Sequence, residues 1–479
     1  MPPLCKGRGT TKWWKGFASV QSTLAGVAET GSETAQRLEG CKKQSLTAFG
    51  GAPFTQRSRK TLLFNQSRLR RTISLRFSLL SFISAQRSAH FKSEKNFIYT
   101  KEVNTMYTNQ HPEIQPDALN EILALRPEGA ENCKKPVTDL LDRMKGAVIG
   151  RFAGCVLGIP VELYKMADMQ ALAMECNMQY PPVDYWTGTD QPEKIHYQVN
   201  KRTEYILENI NKVPVDDDIT YTILNLLLLE KYGKGYTVDD AGKFWLDYLP
   251  YGCTAESEAL MQLRAGTKAE FAANFNGYVE WIGAAIRADA FGYAEAGDPE
   301  AAAKLAYPDA FLTHRQNGIY GEMFCAAAVA AAFTAETPLD AVREGMKQIP
   351  KESELYKELE WAFSCEEKVT NYIRARQLLD EHFPRMHPVH TINNMCAIVF
   401  ALMLGGKDYT KCIGNCVAIG LDNDCTGATV GSIVGACIGF KNIPEHWYKN
   451  FNNTVVTYIN EHPTLALDDV INRFVALNG

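Results

Sequence analysis

The first 105 residues contain no aspartate, and the 479-residue chain contains no C-x-x-C pair. Each absence narrows the reading. Thirteen cysteines scattered without that spacing do not suit a zinc ribbon or a disulfide framework. They read as buried reduced thiols and point to a reducing compartment, the cytoplasm. Alternating polar and apolar runs are also nearly absent, which argues against a sheet protein. No D-x-D-x-D-G loop with a distal Glu occurs, so an EF-hand is excluded. The run LLSFISA lies far from Met1 and is much shorter than the ~20 residues needed to span a bilayer.

What is present divides into two kinds of sequence. Met1–Thr105 holds 18 Lys+Arg against 5 Asp+Glu, a net of +13; with −5 overall, the remainder carries −18. The basic part, with stretches such as RSRKTLLFNQSRLRRTISLRF, shows neither a helical nor a strand period. A disordered or non-native extension over 1–111, an organelle leader and a nucleic-acid-contacting arm are all compatible with this composition. Met106 opens an ordinary-looking start, MYTNQHPEIQ, which favours the first of these, with no nucleic-acid partner expected.

From about Pro112 apolar residues recur at steps of three and four in segment after segment, such as TYTILNLLLLEKYG, YVEWIGAAIRADAFGYA and MCAIVFALMLGG. The spacing predicts one all-α domain over 112–479. Two of its helices carry glycine every fourth residue: Gly146, Gly150, Gly154 and Gly158, then Gly427, Gly431, Gly435 and Gly439. Each interior glycine costs up to ~1 kcal/mol relative to alanine, so four in a stripe imply close backbone packing in return. Membrane helices use such stripes, but Arg151 sits inside the first and the second is too short to span. Two central soluble helices packed on each other are expected. Their ends would then bring Glu162, just after the first stripe, to Asp422 and Asp424, just before the second.

Asp216, Asp217 and Asp218 stand together at a predicted helix start. One carboxylate there caps free N–H groups and meets the positive end of the helix dipole. Three adjacent ones repel unless a cation shares them, and hard oxygen donors suit Mg²⁺ or Ca²⁺. Asp422 and Asp424 in GLDNDCTGATVG lead into another helix. Carboxylates from two such segments suit a binuclear site better than a single ion.

GAVIGRFAGCVLGIPVE, DDDITYTILNLLLLE and GLDNDCTGATVGSIVGACIG, in that order, resemble the hallmark segments of the ADP-ribosylglycohydrolase family, with WIGAAIRADAFGY and DAFLTHRQNGIYGEMFCAAAVAAAF similar to its middle part. The resemblance implies an orthogonal all-α bundle, two Mg²⁺ ions (with room for Mn²⁺) and hydrolysis of the glycosidic bond of an ADP-ribosylated protein or small molecule. It implies metal ligation by Asp217, Asp218, Asp422 and Asp424, with Asp216 added where the family has Thr or Ser. It also implies catalytic roles among Asp424, Glu162 and Asp218, a loop at Glu162 over the metals, and a place for His314 in the substrate cleft. Three positions depart from the pattern. Cys155 replaces an Asp, Asp216 replaces Thr, and Cys425 replaces a Thr ligand, with Thr426 one residue on as a substitute oxygen. A repurposed, non-catalytic binder of ADP-ribose or a nucleotide is the alternative these departures motivate.

Other candidates come from the residues alone. Asn317, Gly318 and Gly321 of NGIYG would offer backbone N–H groups to a phosphate at a helix start, or form a plain turn. His382, His387 and His390 suggest loop structure or cleft lining rather than a zinc site. Tyr185 and Trp186 fit packing better than base stacking.

Overall fold

The computed structural model describes residues 107–131, 133–188 and 203–479; the expectations placed on the basic leader 1–106 lie outside them. The chain runs through α1 (Leu119–Ala124), α2 (Leu140–Gly158), α3 (Met166–Glu175), α4 (Asp217–Tyr232), α5 (Val238–Tyr248) and α6 (Thr254–Arg264). It continues through α7 (Asp289–Ala294), α8 (Pro299–Thr313), α9 (Asn317–Ala332), α10 (Pro338–Met346) and α11 (Glu354–Ser364). The last helices are α12 (Tyr372–His382), α13 (Thr391–Gly405), α14 (Tyr409–Ile419), α15 (Asn423–Ile438) and α16 (Leu467–Ala476). The all-α expectation holds, with one small exception among the described residues. Strands β1 (Thr454–Val456) and β2 (Thr464–Ala466) form an antiparallel pair.

The helical unit starts earlier than the expected boundary at 112. Tyr107 N donates to Asn274 O at 2.8 Å, and the Tyr107 hydroxyl and Asn109 amide reach Asp117. Residues 107–111 therefore belong to the packed unit.

The two glycine stripes meet, as their spacing predicts. A Cβ built on Gly146, Gly150 or Gly154 would collide with the carbonyl of Gly435, Gly431 or Gly427 respectively, and one on Gly158 with the backbone of Asp424. The falling partner numbers make α2 and α15 antiparallel, with no side chain between them along this line. Tyr409 seals one flank by donating its hydroxyl to Gly150 O at 2.8 Å. By length and hydropathy Leu140–Val161 would pass as a membrane span, yet its most apolar stretch is 94% buried inside the protein. The apolarity serves a helix surrounded on every side by other helices.

One expected helix is broken. YVEWIGAAIRADAFGYA forms a turn, a 3₁₀ stretch at Ala285–Arg287, and only then α7. Its first backbone groups are claimed by neighbours. Arg315 N donates to Val279 O, Thr391 N to Glu280 O, and Ile282 N to Val389 O. A continuous helix would have to give up these cross-links.

Candidate metal centre

The acidic segments converge at one end of the α2–α15 pair. VPVDDD is held in an extended path before α4. Val213 N donates to Thr454 O at 2.8 Å and Val456 N to Val213 O at 3.0 Å, which fastens the segment to β1. The Tyr205 hydroxyl grips Val215 O at 2.6 Å. Asp216 is the N-cap of α4, with extended backbone and a carboxylate that accepts from Asp218 N at 3.1 Å. Capping thus explains Asp216, and leaves Asp217 and Asp218 to be explained.

On the other side, Gly420 and Leu421 both take positive φ (83° and 72°) immediately before Asp422. For leucine this is an uncommon backbone state that needs support from its surroundings. Asp422 N donates to Asn394 Oδ1 at 3.2 Å, and the Asn394 amide is itself anchored on Pro388 O and His390 O. Asn423, fully buried, donates to Val161 O at 3.4 Å and Val417 O at 3.2 Å. That bond ties the Asp422–Asp424 turn to the 3₁₀ turn Ile159–Val161, which delivers Glu162. Leu163, next in the chain, also has positive φ (59°).

Three donor sets result, each with its ligand-type atoms within 4.8 Å of one another: Glu162, Asp422 and Asp424; Asp218, Asp424 and Cys425; and Cys155, Asp216 and Asp218. Asp424 belongs to the first two, Asp218 to the last two. Asp217 stands beside this run, within hydrogen-bonding reach of the Cys253 thiol. Asp218 is fully buried, Asp422 and Asp424 nearly so, while Asp216, Asp217 and Glu162 keep partial exposure. The run is therefore open on one side.

Among the described residues, the guanidinium that reaches these carboxylates is that of Arg151, which projects from the first glycine stripe. It contacts Asp218 Oδ1 at 3.3 Å but makes its shorter bond, 2.6 Å, to Asp289. Its remaining donors go to Thr222 Oγ1 and the Asp218 and Ile286 carbonyls. Burial disfavours its charge, but Asp289 and Asp218 outweigh that and hold it cationic. One arginine divided between two aspartates cannot neutralise six carboxylates. Burial pushes the carboxyls of Asp216, Asp218 and Asp422 well above the usual range; Asp217 adds to this for Asp216 and Asp424 for Asp422, while Arg151 opposes it at Asp218. Asp217 is raised as well, by burial and then by Glu162. Asp218 Oδ2 is buried without a hydrogen-bond partner. A divalent ion fits this donor set, because it would satisfy that oxygen and offset the burial and mutual repulsion that raise these carboxyls.

The other sequence candidates fall elsewhere. Asn317 does begin a helix, α9, but the protein itself occupies that end. Asp117 accepts from Gln316 N at 2.8 Å, and the Asn317 amide donates to Gln115 Oε1 and Glu280 Oε1. Gly318 packs against Val279 O and His314, Gly321 against Thr391, and both are buried. An anion at this helix start would have to displace Asp117, so the phosphate cradle has no open backbone to use. His314 is fully buried, paired through Nδ1 with Thr313 Oγ1 at 2.6 Å, and burial followed by Arg287 keeps it neutral. His382 stacks on Trp361 and bonds Glu358, and His387 stacks on Trp281. Tyr185 and Trp186 are core residues, with the hydroxyl on Trp447 O and the indole N–H on Leu157 O. The Thr426 hydroxyl turns back onto Asp422 O at 3.0 Å.

Sequence reasoning missed four contributors. Arg151 was legible only as a charge in a glycine stripe. Cys253, the residue before α6, approaches Asp217 with no motif to announce it. Tyr251 and Tyr458 stack at 4.4 Å and stand beside Asp217 and Cys253 as an aromatic wall.

A helical bundle with a carboxylate-lined centre at the end of a glycine-paired, antiparallel helix pair defines the class. The profile of the ADP-ribosylglycohydrolase family matches residues 136–476, and the chain belongs to that family. A solved structure described as an "ADP-ribosylglycohydrolase-related protein complex" is similar at 18% identity, covering 71% of this chain and 98% of that chain with a TM-score of 0.47. A search of curated proteins finds no match.

Proposed function

We propose that the protein is a Mg²⁺-dependent hydrolase, with Mn²⁺ as a workable substitute, that cleaves the glycosidic bond of an ADP-ribosylated protein or small molecule and releases ADP-ribose. Family membership supports the reaction class. The observation that carries the metal dependence is the excess of carboxylates over the single, shared Arg151. Asp216, Asp217, Asp218, Asp422 and Asp424 would hold two ions, with Glu162 at the edge. Bound ions of this kind orient ribose hydroxyls and lower the pKa of a coordinated water.

The chain's own groups supply the rest. Glu162 sits at the open side on a turn followed by a strained residue, well placed to take the proton of an attacking water. Asp424, between the two donor sets, is the competing base. Asp218, braced by Arg151, keeps the donor geometry fixed. The anionic surroundings favour the positive charge that develops on the sugar in an oxocarbenium-like transition state. Tyr251 and Tyr458 border the Asp217 side and offer flat surfaces to the rest of the substrate.

The test is a panel of ADP-ribosylated arginine, serine, nucleic-acid ends and small-molecule acceptors, assayed with metal-stripped and Mg²⁺-reconstituted protein. Release of ADP-ribose from at least one of them, only with the metal, is expected. Full turnover by stripped protein would overturn the metal requirement. Tight ADP-ribose binding without turnover on any member would favour the repurposed binder.

A further inference from the structure

We propose that the two ion positions differ in kind, one holding a hard divalent ion among Glu162, Asp422 and Asp424, the other a thiophilic ion among Asp218, Asp424 and the thiolate of Cys425. This rests on the metal-dependent reading above and replaces one of its two Mg²⁺ ions with a thiophilic one.

The asymmetry lies in the donor sets. Both place their ligand-type atoms within 4.8 Å and share Asp424, but the first offers only oxygen and the second includes sulfur. Oxygen-only sites suit Mg²⁺ and Mn²⁺, which discriminate against sulfur. A thiolate beside two carboxylates suits Zn²⁺, Co²⁺ or Cd²⁺. Cys425 is only 7% exposed, so its thiol is held in place rather than free to swing into solvent. The thiol lies within hydrogen-bonding reach of the Asp218 carboxylate, and Asp218 Oδ2 is buried and without a partner. That oxygen is the independent sign of a missing ligand at the sulfur end of the run.

The hydroxyl next in sequence to Cys425 does not take over the role. Thr426 donates back into its own helix. Cys155, the second thiol in the run, donates to Asp216 Oδ1 at 3.3 Å and so positions the N-cap aspartate. It lies in the third donor set, with Asp216 and Asp218, and so is the internal control for a thiol in the same acidic field. Coordination by Cys425 replaces its S–H bond with a sulfur–metal bond, and the proton leaves to solvent.

The experiment is a Co²⁺ titration of metal-stripped full-length protein, followed by absorption and calorimetry. The expected result is a near-ultraviolet thiolate-to-cobalt charge-transfer band that saturates with one ion. It should be lost in Cys425→Ser and Cys425→Thr and retained in Cys155→Ser. Mg²⁺ added in tenfold excess should bind without bleaching it. Folding of each variant is checked by circular dichroism, and either Cys425 substitution that folds decides the point against the Cys155→Ser control. Co²⁺ binding by calorimetry with no thiolate band, or a band that survives both Cys425 substitutions, would overturn the inference while leaving the metal-dependent reading intact. Failure of every divalent ion to bind would overturn both.

Discussion

Two groups of buried carboxylates lie near each other in this fold, and they are resolved in opposite ways. In the first, Glu256, Asp309 and Glu322 surround Arg287. The guanidinium bonds Asp309 through Nε, Glu256 through Nη1, and Glu322 and the Thr313 hydroxyl through Nη2. The faces of Tyr221 and Trp245 cover it. Even so, burial outweighs the arginine and lifts Glu256 to about 7, and burial with Asp309 beside it holds Glu322 well above its usual range. In the second, the Asp216–Asp218, Asp422–Asp424 and Glu162 run, the guanidinium sits at one edge and is shared with Asp289. The first cluster is organised around a cation the chain provides. The second is organised around space. An internal cation makes a structural knot; carboxylates arranged without one call for a cation from outside.

The comparison can be broken in order of expected effect. Arg287→Met leaves three buried carboxylates around an apolar chain and should cost about 3–5 kcal/mol of stability, as for any buried pair stripped of one partner. Chemical denaturation measures this; a loss below 1 kcal/mol would show that the knot is not held by its arginine.

Asp424→Asn should leave the fold intact but abolish activity. Loss of groups that merely support a metal ligand costs about 10–100-fold, so loss of an oxygen shared between two donor sets should exceed about 100-fold in kcat/KM. Retained turnover with retained metal binding would remove Asp424 from the centre.

Gly154→Ala tests whether the helix pair sets the site while leaving the knot alone. Alanine gains up to ~1 kcal/mol of helix propensity, but its Cβ strikes the Gly427 backbone. Such overpacking costs about 1–3 kcal/mol, so a net loss of stability is expected together with weaker metal binding in calorimetry. An unchanged or raised melting temperature would mean that the helices separate without penalty.

Asp216→Asn should do the reverse of a knot mutation. Removing one like charge should stabilise the metal-free protein by about 0.5–2 kcal/mol, in the range of other stabilising single changes, while reducing the melting-temperature gain produced by Mg²⁺.

The last expected effect is a slope. Glu256 titrates near 7 in the fold against 4.5 ordinarily. Its contribution to stability is therefore fully present below about 4.5 and is lost as pH rises through about 7. Wild type should lose up to about 1.4 kcal/mol per pH unit in that window, and Glu256→Gln should flatten this part of the profile. Parallel profiles would show that Glu256 does not carry the proton.

The pairing of the helices was legible because a four-residue glycine period has few physical uses in a chain that carries an arginine in the same stripe. From it followed the meeting of Glu162 with Asp422 and Asp424. The role of Asp216 as cap was readable from residue type, and the excess at Asp217 and Asp218 from charge repulsion. The knot was not legible. Glu256, Arg287, Asp309 and Glu322 come from separate elements, and in sequence each resembles a routine polar residue in a helix. NGIYG misled for a related reason. Its helix start is real, but whether a start is open depends on what packs over it, and Gln115 and Asp117 come from a segment some two hundred residues earlier. The break at Tyr278–Trp281 was hidden because cross-links between distant backbones leave no periodic trace.

The glycine-paired helices carry a mechanical consequence. Gly158 and Asp424 come from helices far apart in sequence, yet their backbones are in direct contact, with no rotamers between them to absorb movement. The α2–α15 pair acts as a single stiff strut, and its tip carries donors from both ends of the fold at fixed separation. Any opening of the centre would therefore fall to the Glu162–Leu163 turn and the Tyr251–Cys253 approach, while the strut keeps the carboxylates at its tip in register.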